Sequence, residues 1–415
     1  MSVLWLDSFS DSANRMAPPP PFLALASRPD ITSFAGGVPD PSVFPIEAIR
    51  KSYEQVLADP SLRAQALQYA PSTGLPALRS WIAEYMAARA MTVTIDNIIL
   101  TSGAQQALDL VGKLLVNPGD RVAVTAPTFF AALDTFNAYR PQYDCIPYGP
   151  AGLDFVVAET VIKSRPRFVY VIPDFQNPTG LSLTLAERER LLELCVAHGV
   201  PLVEDAAYEA LRFSGEPVTS IKAIAQSKGF GAQVIYINTF SKTIAPGLRV
   251  GWLSAETEVI RKLAALKLSA DVHTSVLNQM AVLRVAQDGF AEHVSRVCAT
   301  YSARRDAMLA ALRRHMPETV TWTNPEGGLF IWLTLPDDVD TTPALTTAIE
   351  EFKVAYVPGQ LSFANGLGRN TCRLSFATVD AAHIERGIRR LASHFESIGV
   401  SATGVRAVVS GSVPC

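Results

Sequence analysis

Short apolar runs at Ile98–Leu100, Arg121–Thr125, Phe168–Ile172, Pro201–Val203, Gln233–Ile237 and Val250–Leu253 punctuate the middle of this chain. Helical patterns stand between the first of them, at Gln105–Leu115, Phe130–Tyr139 and Leu185–His198. A strand that is apolar at successive positions has no face to offer solvent, so it must be covered on both sides. Strand and helix in alternation then predict an α/β fold, a mainly parallel sheet between layers of helices. Ligands of such sheets gather beyond the carboxyl ends of the strands. The residues just past each run are therefore where chemistry is to be sought.

The flanking regions differ in character. A helix is predicted from Pro45, over Ile46–Arg50, and another after Gly74-Leu75-Pro76, where Leu78, Ile82 and Tyr85 share helical spacing. After Ala255 helical patterns dominate (Val259–Leu268, Val276–Asp288, Glu292–Arg314). A smaller α+β unit follows, with strands near Leu329–Leu333, Val354–Val357 and Cys372–Phe376 and a closing helix over Asp380–Phe395. At 415 residues the chain exceeds a single core. The pattern divides it into an arm (1–45), a large domain (46–285), a small C-terminal domain (286–397) and a tail (398–415) expected to be disordered. The arm carries Ala17-Pro18-Pro19-Pro20-Pro21-Phe22, a stiff extended stretch that reads either as a tether or as the edge of a lid.

A net charge of −3 with no dense Lys/Arg cluster provides no field for nucleic acid or an anionic membrane. The five cysteines are scattered and form no C-x-x-C pair, which supports neither a disulfide framework nor a metal site and points to a reducing compartment. The N-terminus shows no charged segment followed by an apolar one, and no apolar run is long enough to span a bilayer. A soluble, cytoplasmic protein is expected.

Lys242 lies in Asn238-Thr239-Phe240-Ser241-Lys242-Thr243, at a strand-to-loop edge, with Arg249 shortly beyond. A lysine that forms an imine with an aldehyde cofactor needs such company: a dry setting that keeps its amine neutral, and anion-binding groups for a phosphate. A solvated lysine in a polar loop is the plainer alternative. Ser102-Gly103-Ala104-Gln105 opens a helix after a strand, which makes a phosphate cradle or an ordinary helix start. Asp205 ends the run at Pro201–Val203, and Tyr208 follows it. A buried carboxylate there suits a pyridinium N–H, though a helix cap beside a core tyrosine would look the same. Asn177, in Gln176-Asn177-Pro178-Thr179-Gly180, is either an amide aimed into the crevice or part of a plain turn. Phe129 is either a ring that stacks on a planar cofactor or a core residue. Arg373, a charge inside an apolar strand, needs a partner: a substrate carboxylate or a structural ion pair.

Taken in order, Phe34-Ala35-Gly36-Gly37-Val38-Pro39-Asp40, Gln68-Tyr69, Ser102–Gln106, Gln176–Gly180, Glu204–Tyr208, Ser241–Arg249, Glu326-Gly327-Gly328 and Arg373 resemble the blocks of the fold-type-I pyridoxal-phosphate (PLP) aminotransferases. The chain looks most like the branch holding 2-aminoadipate and kynurenine aminotransferases, over about Ser33 to Phe395. The resemblance implies a large PLP-binding domain with a mainly parallel seven-stranded sheet between helices, plus the smaller α+β domain. It implies that Lys242 carries the cofactor as a Schiff base and shuttles the Cα proton. Asp205 would pair with the ring nitrogen, Tyr208 and Asn177 would hold the phenolate oxygen, and Phe129 would stack on the ring. The phosphate would lie on Ser102, Gly103, Ala104 and Gln105, with Ser241 and Arg249. Tyr69 would reach the site of the neighbouring subunit, which makes a homodimer part of the expectation. Arg373 would hold the substrate α-carboxylate, with Gly36 and Gly37 lining the substrate side.

Three departures stand out. Phe129 replaces the family's usual Tyr, which keeps the stacking and loses a hydroxyl. Ala104 replaces a usual Ser, which keeps the backbone N–H. Pro18–Ala26, apolar and proline-rich, stands where the family often has a helix whose Arg reads an acidic side chain. Apolar or aromatic donors are therefore expected over 2-aminoadipate. The expected reaction is a ping-pong transfer of nitrogen from an L-α-amino acid to a 2-oxo acid such as 2-oxoglutarate. The same residues would serve a PLP-dependent decarboxylase, lyase, cyclase or oxidase, which is the alternative. A transcription regulator built on this domain would carry a helix-turn-helix ahead of it, and no such motif fits the first residues.

Overall fold

The structure, a computed structural model, describes residues 8–16 and 28–400. The proline-rich stretch Pro18–Ala26 and the tail from residue 401 on lie outside the described residues.

Strand β1 (Thr32–Ser33) precedes the strands of the large sheet: β2 (Ile98–Thr101), β3 (Arg121–Ala126), β4 (Gln142–Gly149), β5 (Gly152–Leu153), β6 (Val169–Val171), β7 (Leu202–Asp205), β8 (Val234–Thr239) and β9 (Gly251–Ser254). Their order across the sheet is β2-β9-β8-β7-β6-β3-β4-β5. The interior strands are buried throughout: every residue of β2, β6, β7, β8 and β9 is buried, as two covered faces require. From β8 to β4 the pairs β8/β7, β7/β6, β6/β3 and β3/β4 are parallel, whereas β9 runs against both β8 and β2. The reversal follows from connection length. A parallel return needs a crossover of a dozen or more residues, usually helical, whereas the loop from Thr239 to Gly251 carries the chain straight back.

The sheet has eight strands, where seven were expected. The extra one is the two-residue β5, folded back on β4. β4 itself was not legible as an apolar run. Its sequence, QYDCIPYG, is mixed because the strand lies toward the sheet edge, and most of its residues are partly exposed.

The C-terminal part contains β10 (Thr321–Trp322), β11 (Phe330–Thr334), β12 (Val354–Ala355), β13 (Val357–Pro358) and β14 (Thr371–Ser375). β10, β11, β14 and β13 form a four-stranded antiparallel sheet. The run expected as one strand over Val354–Val357 is two, because β12 pairs instead with β1. The N-terminal segment is thus stitched into the C-terminal part. Phe34 donates its N–H to Ala355 O at 2.8 Å and accepts from Ser375 N at 2.8 Å. The closing helix, Ala381–Ser397, is capped by Asp380 through His383 N. Residues 398–400, placed in the expected tail, are ordered parts of the fold: Gly399 turns at φ +95°, and Val400 is packed into the core, 1% exposed.

Among the described residues no helix is long and apolar enough to cross a membrane, and no cluster of His, Cys, Asp or Glu is placed to hold a metal ion.

Candidate functional site

The strands β2, β8, β7, β6 and β3 share one direction, so their carboxyl ends lie along one edge of the sheet. Lys242 stands on the reversing loop after β8. Its Nζ donates to Gly37 O at 3.1 Å and lies 5.7 Å from the centre of the Tyr208 ring. Desolvation of the amine, with the positive charges of Arg373 and Arg249 nearby, pushes its pKa down to about 8 against the pull of Asp205. A lysine so placed has a substantial neutral, nucleophilic fraction near neutral pH.

Asp205 closes β7 and is 3% exposed. Its Oδ2 accepts from the Tyr170 hydroxyl at 2.8 Å and its Oδ1 from Ala207 N at 3.3 Å. Burial pushes the carboxyl up, to about 6, although Tyr170, Ala207 and Lys242 all favour its charge. Tyr208 is buried beside it, and the side chain of Asn177 hydrogen-bonds to it. Burial holds the Tyr208 phenol well above its ordinary range.

β2 leads through Ser102 and Gly103 into the helix Ala104–Leu115, whose amino end has no side-chain cap. The N–H groups of Ala104 and Gln105 belong to its first turn and have no intrahelical acceptor. Arg249, at φ +54°, donates from Nη2 to Ser102 O at 2.7 Å and from Nη1 to Pro246 O at 3.1 Å. Gly103 has φ +80°, and a Cβ there would fall 2.6 Å from Arg249 Nη2. Glycine is what allows the guanidinium to reach the helix end. The hydroxyl of Ser102 turns outward, to Asp271 Oδ2 at 3.3 Å and Thr274 Oγ1 at 3.4 Å. The Gln105 side chain is taken up by Ala131 O at 3.1 Å and by Thr135 Oγ1. Ser241 Oγ accepts from Thr239 Oγ1 at 2.9 Å. Phe129 precedes the helix Phe130–Asn137, half-buried, with its ring against that of Phe130.

Arg373 enters from β14 and is 3% exposed. Nη1 donates to Asn177 Oδ1 at 2.8 Å and Nη2 to Ala35 O at 2.9 Å, while Nε is buried without a partner. The rings of Phe330 and Phe130 flank the guanidinium at 4.4 and 5.8 Å. Burial lowers its pKa to about 10. Among the described residues no carboxylate pairs with it, so the structural ion pair that was the competing explanation is not there. Gly36 and Gly37 lack positive φ, so backbone conformation does not demand glycine at either position. A Cβ on Gly37 would stand 3.4 Å from Arg373 Nη2 and crowd the guanidinium. Tyr69 is not among these groups. It is 79% exposed, and its ring meets His273 edge-on at 5.9 Å.

Other site residues were not singled out in the sequence. Gln176 is fully buried and ties the loop after β6 to the loop after β3, donating to Thr125 Oγ1 and Pro127 O, both at 2.9 Å. It sits in the quoted block, so its neighbourhood was legible and its role was not. Asp40 is clasped by Arg304, and its N–H donates to Tyr301 OH at 3.0 Å, which anchors the Gly36–Gly37 segment to the helix Phe290–His315. Tyr170 carried no signal in sequence, because a tyrosine in Phe168–Ile172 looks like core.

The donor set fits pyridoxal phosphate on separate counts: an uncapped helix end beside an arginine for the phosphate, a buried carboxylate for a ring N–H, and a desolvated lysine amine. A guanidinium with an orphaned Nε stands beside them. Residues 34–391 match the family model for aminotransferase class I and II. An aromatic-amino-acid aminotransferase of Thermococcus litoralis is 42% identical over 89% of this chain and 89% of its own. The chain is also similar to the crystal structure of the α-aminoadipate aminotransferase of Thermus thermophilus, complexed with N-(5'-phosphopyridoxyl)-L-leucine. That match has a TM-score of 0.89 at 39% identity, covering 95% of this chain and 99% of the other. A kynurenine aminotransferase of Pyrococcus horikoshii, solved with PMP, superposes with a TM-score of 0.90 at 40% identity over 96% of this chain and 99% of that one.

Proposed function

The chain belongs to the class I and II aminotransferases, and we propose that within that family it is a homodimeric enzyme for apolar and aromatic L-α-amino acids. Pyridoxal phosphate, when bound, supplies an electron sink that lets the Cα–H bond of an amino acid ionise. Everything else falls to the chain. Arg373 grips the substrate α-carboxylate, and its orphaned Nε and aromatic flanks carry this part of the reading. Lys242 Nζ takes the Cα proton and returns it. Asp205 would accept a hydrogen bond from the protonated ring nitrogen and so keep it protonated. Asn177 and Tyr208 would hydrogen-bond the phenolic oxygen, Phe129 would stack on the ring, and Gly36 and Gly37 would leave the substrate side open. The N–H groups beyond Gly103, at Ala104 and Gln105, with Ser241 and Arg249, would hold the phosphate, and Ser102 would contribute once its hydroxyl turned from Asp271 and Thr274.

The aromatic donor class is supported by Phe130 and Phe330 beside Arg373, by the name of the Thermococcus relative and by the leucine adduct of the Thermus one. That Thermus enzyme is also named for α-aminoadipate, so donor preference is the part the experiment must decide. The homodimer is supported by an exposed apolar patch. Leu67, Tyr69, Leu268 and Val272 are all exposed, and the Tyr69 ring meets that of His273, the residue after Val272. Tyr69 would then serve the site of the neighbouring subunit. A cytoplasmic location belongs to the same reading, and four free cysteines among the described residues suit it. The eight-stranded and the four-stranded sheets support a division into a large domain to about residue 285 and a small one to about 397. No observation favours a lyase, decarboxylase, cyclase or oxidase.

The test is a half-reaction. Holoenzyme without any oxo acid is given leucine, phenylalanine, tryptophan or 2-aminoadipate in turn. The expected result is one oxo acid released per site, then arrest, then resumption with glutamate formed when 2-oxoglutarate is added. Repeated turnover without an acceptor would overturn the transaminase reading. A higher kcat/KM for 2-aminoadipate than for the other three would overturn the donor class.

A further inference from the structure

Asp205 is a buried carboxylate, and among the described residues it has no ion pair. Its one side-chain donor is the Tyr170 hydroxyl, at 2.8 Å from Oδ2. Strand geometry makes this contact specific. Tyr170 pairs with Val203 in the parallel register of β6 and β7, and Asp205 lies two residues beyond Val203, on the same face of the sheet. Tyr170 is fully buried, and its ring packs edge-on against Phe136 at 5.7 Å. A buried phenol must bond to something, and a core tyrosine commonly finds a carbonyl. Here it meets the carboxylate that, on the reading above, faces the cofactor.

We infer that Tyr170 is a positioning residue that keeps Asp205 ionised and turns its remaining lone pairs toward the ring nitrogen of the cofactor. The inference rests on the assignment of Asp205 as the partner of that nitrogen. Every charged or titratable group around Asp205 enters the balance. Lys242 favours the carboxylate, Tyr208 stays neutral beside it, and Arg373 and Arg249 act on it through Lys242. Burial is the largest influence and opposes ionisation. A hydrogen bond to a charged group is among the stronger single contributions a side chain makes, so its loss moves the carboxyl toward its neutral form. The sign follows: Asp205 loses its charge as pH falls, and without Tyr170 it loses it at a higher pH.

Tyr170→Phe removes the hydroxyl and keeps the ring on Phe136. Apoenzyme is titrated by equilibrium dialysis with pyridoxal phosphate and with its analogue carrying C–H in place of the ring nitrogen, from pH about 8 down to about 5. Wild type, Y170F and D205N are compared. Wild type should prefer the nitrogen ring and lose that preference as Asp205 takes its proton. In Y170F the loss should begin about one pH unit higher, a tenfold shift in the proton equilibrium, with binding of the analogue unchanged. D205N should show little preference at any pH. Should the Y170F curve superimpose on wild type while D205N is flat, or should Y170F weaken both ligands equally at every pH, the role of Tyr170 is wrong and that of Asp205 stands. A wild-type preference in D205N would overturn both.

Discussion

Arg373 holds a cation in the protein interior with a carbonyl and an amide oxygen for company, and a charge so placed waits for an anion. The fork matters as much as the charge. Arg373→Lys keeps the charge and loses the paired donors, so KM for amino acids should rise about ten- to a hundredfold. The dissociation constant of pyridoxal phosphate should be unchanged, since that ligand is held elsewhere. Steady-state kinetics and a cofactor titration on one preparation check this, and an unchanged KM would remove Arg373 from the substrate site. Arg373 was legible in sequence because an arginine inside an apolar strand has few explanations. Lys242 and Asp205 were legible for the same reason, polar groups at the ends of buried runs. Tyr170 was not, since its ring satisfies every demand of a core position and only its hydroxyl has another use. The role of Tyr69 rests on the resemblance alone.

At the scale of elements, the cradle is one strand end, one glycine and one helix start. Gly103 sits at φ +80° where Arg249 closes in. Gly103→Ala forces an alanine into an extended positive-φ conformation (φ +80°, ψ 175°) that glycine alone adopts readily, at a cost of about 1–3 kcal/mol, and displaces the guanidinium. The dissociation constant for pyridoxal phosphate should rise about tenfold or more. Gly247→Ala, in the same loop as Arg249 with nothing near its Cβ, should bind like wild type. Equal affinities for the two variants would mean that the helix end does not hold the phosphate. The helix Ala104–Leu115 was legible from its period and β2 from its apolar run, and the bond from Arg249 Nη2 to Ser102 O was not, because it joins residues far apart in sequence. The same holds for β4, whose edge position mixes polar and apolar residues, and for β12 and β13, which pair in different sheets although one residue separates them.

For the whole molecule, the exposure of Tyr69 leads to a complementation test. If each site takes Lys242 from one subunit and Tyr69 from the other, inactive Lys242→Ala and Tyr69→Ala chains, refolded together, should regain about a quarter of wild-type activity. That figure is one sound site in each mixed dimer, with half of the dimers mixed. No recovery, in mixtures shown to exchange subunits, would mean that each site is complete within one chain. The order of elements and the large sheet were legible at this scale. The pairing of β1 with β12 was not, since two-residue strands have no period to find. That pairing has a consequence for how the protein is made. Ala35 and Arg373, bonded in the site, are 338 residues apart in the chain. At about 5–20 residues per second, roughly 20 to 70 seconds of synthesis separate them. Once Asp205 and then Lys242 have been made, the nascent chain carries them without the strand that completes their surroundings, so the ribosome holds an inactive chain until Arg373 has been added.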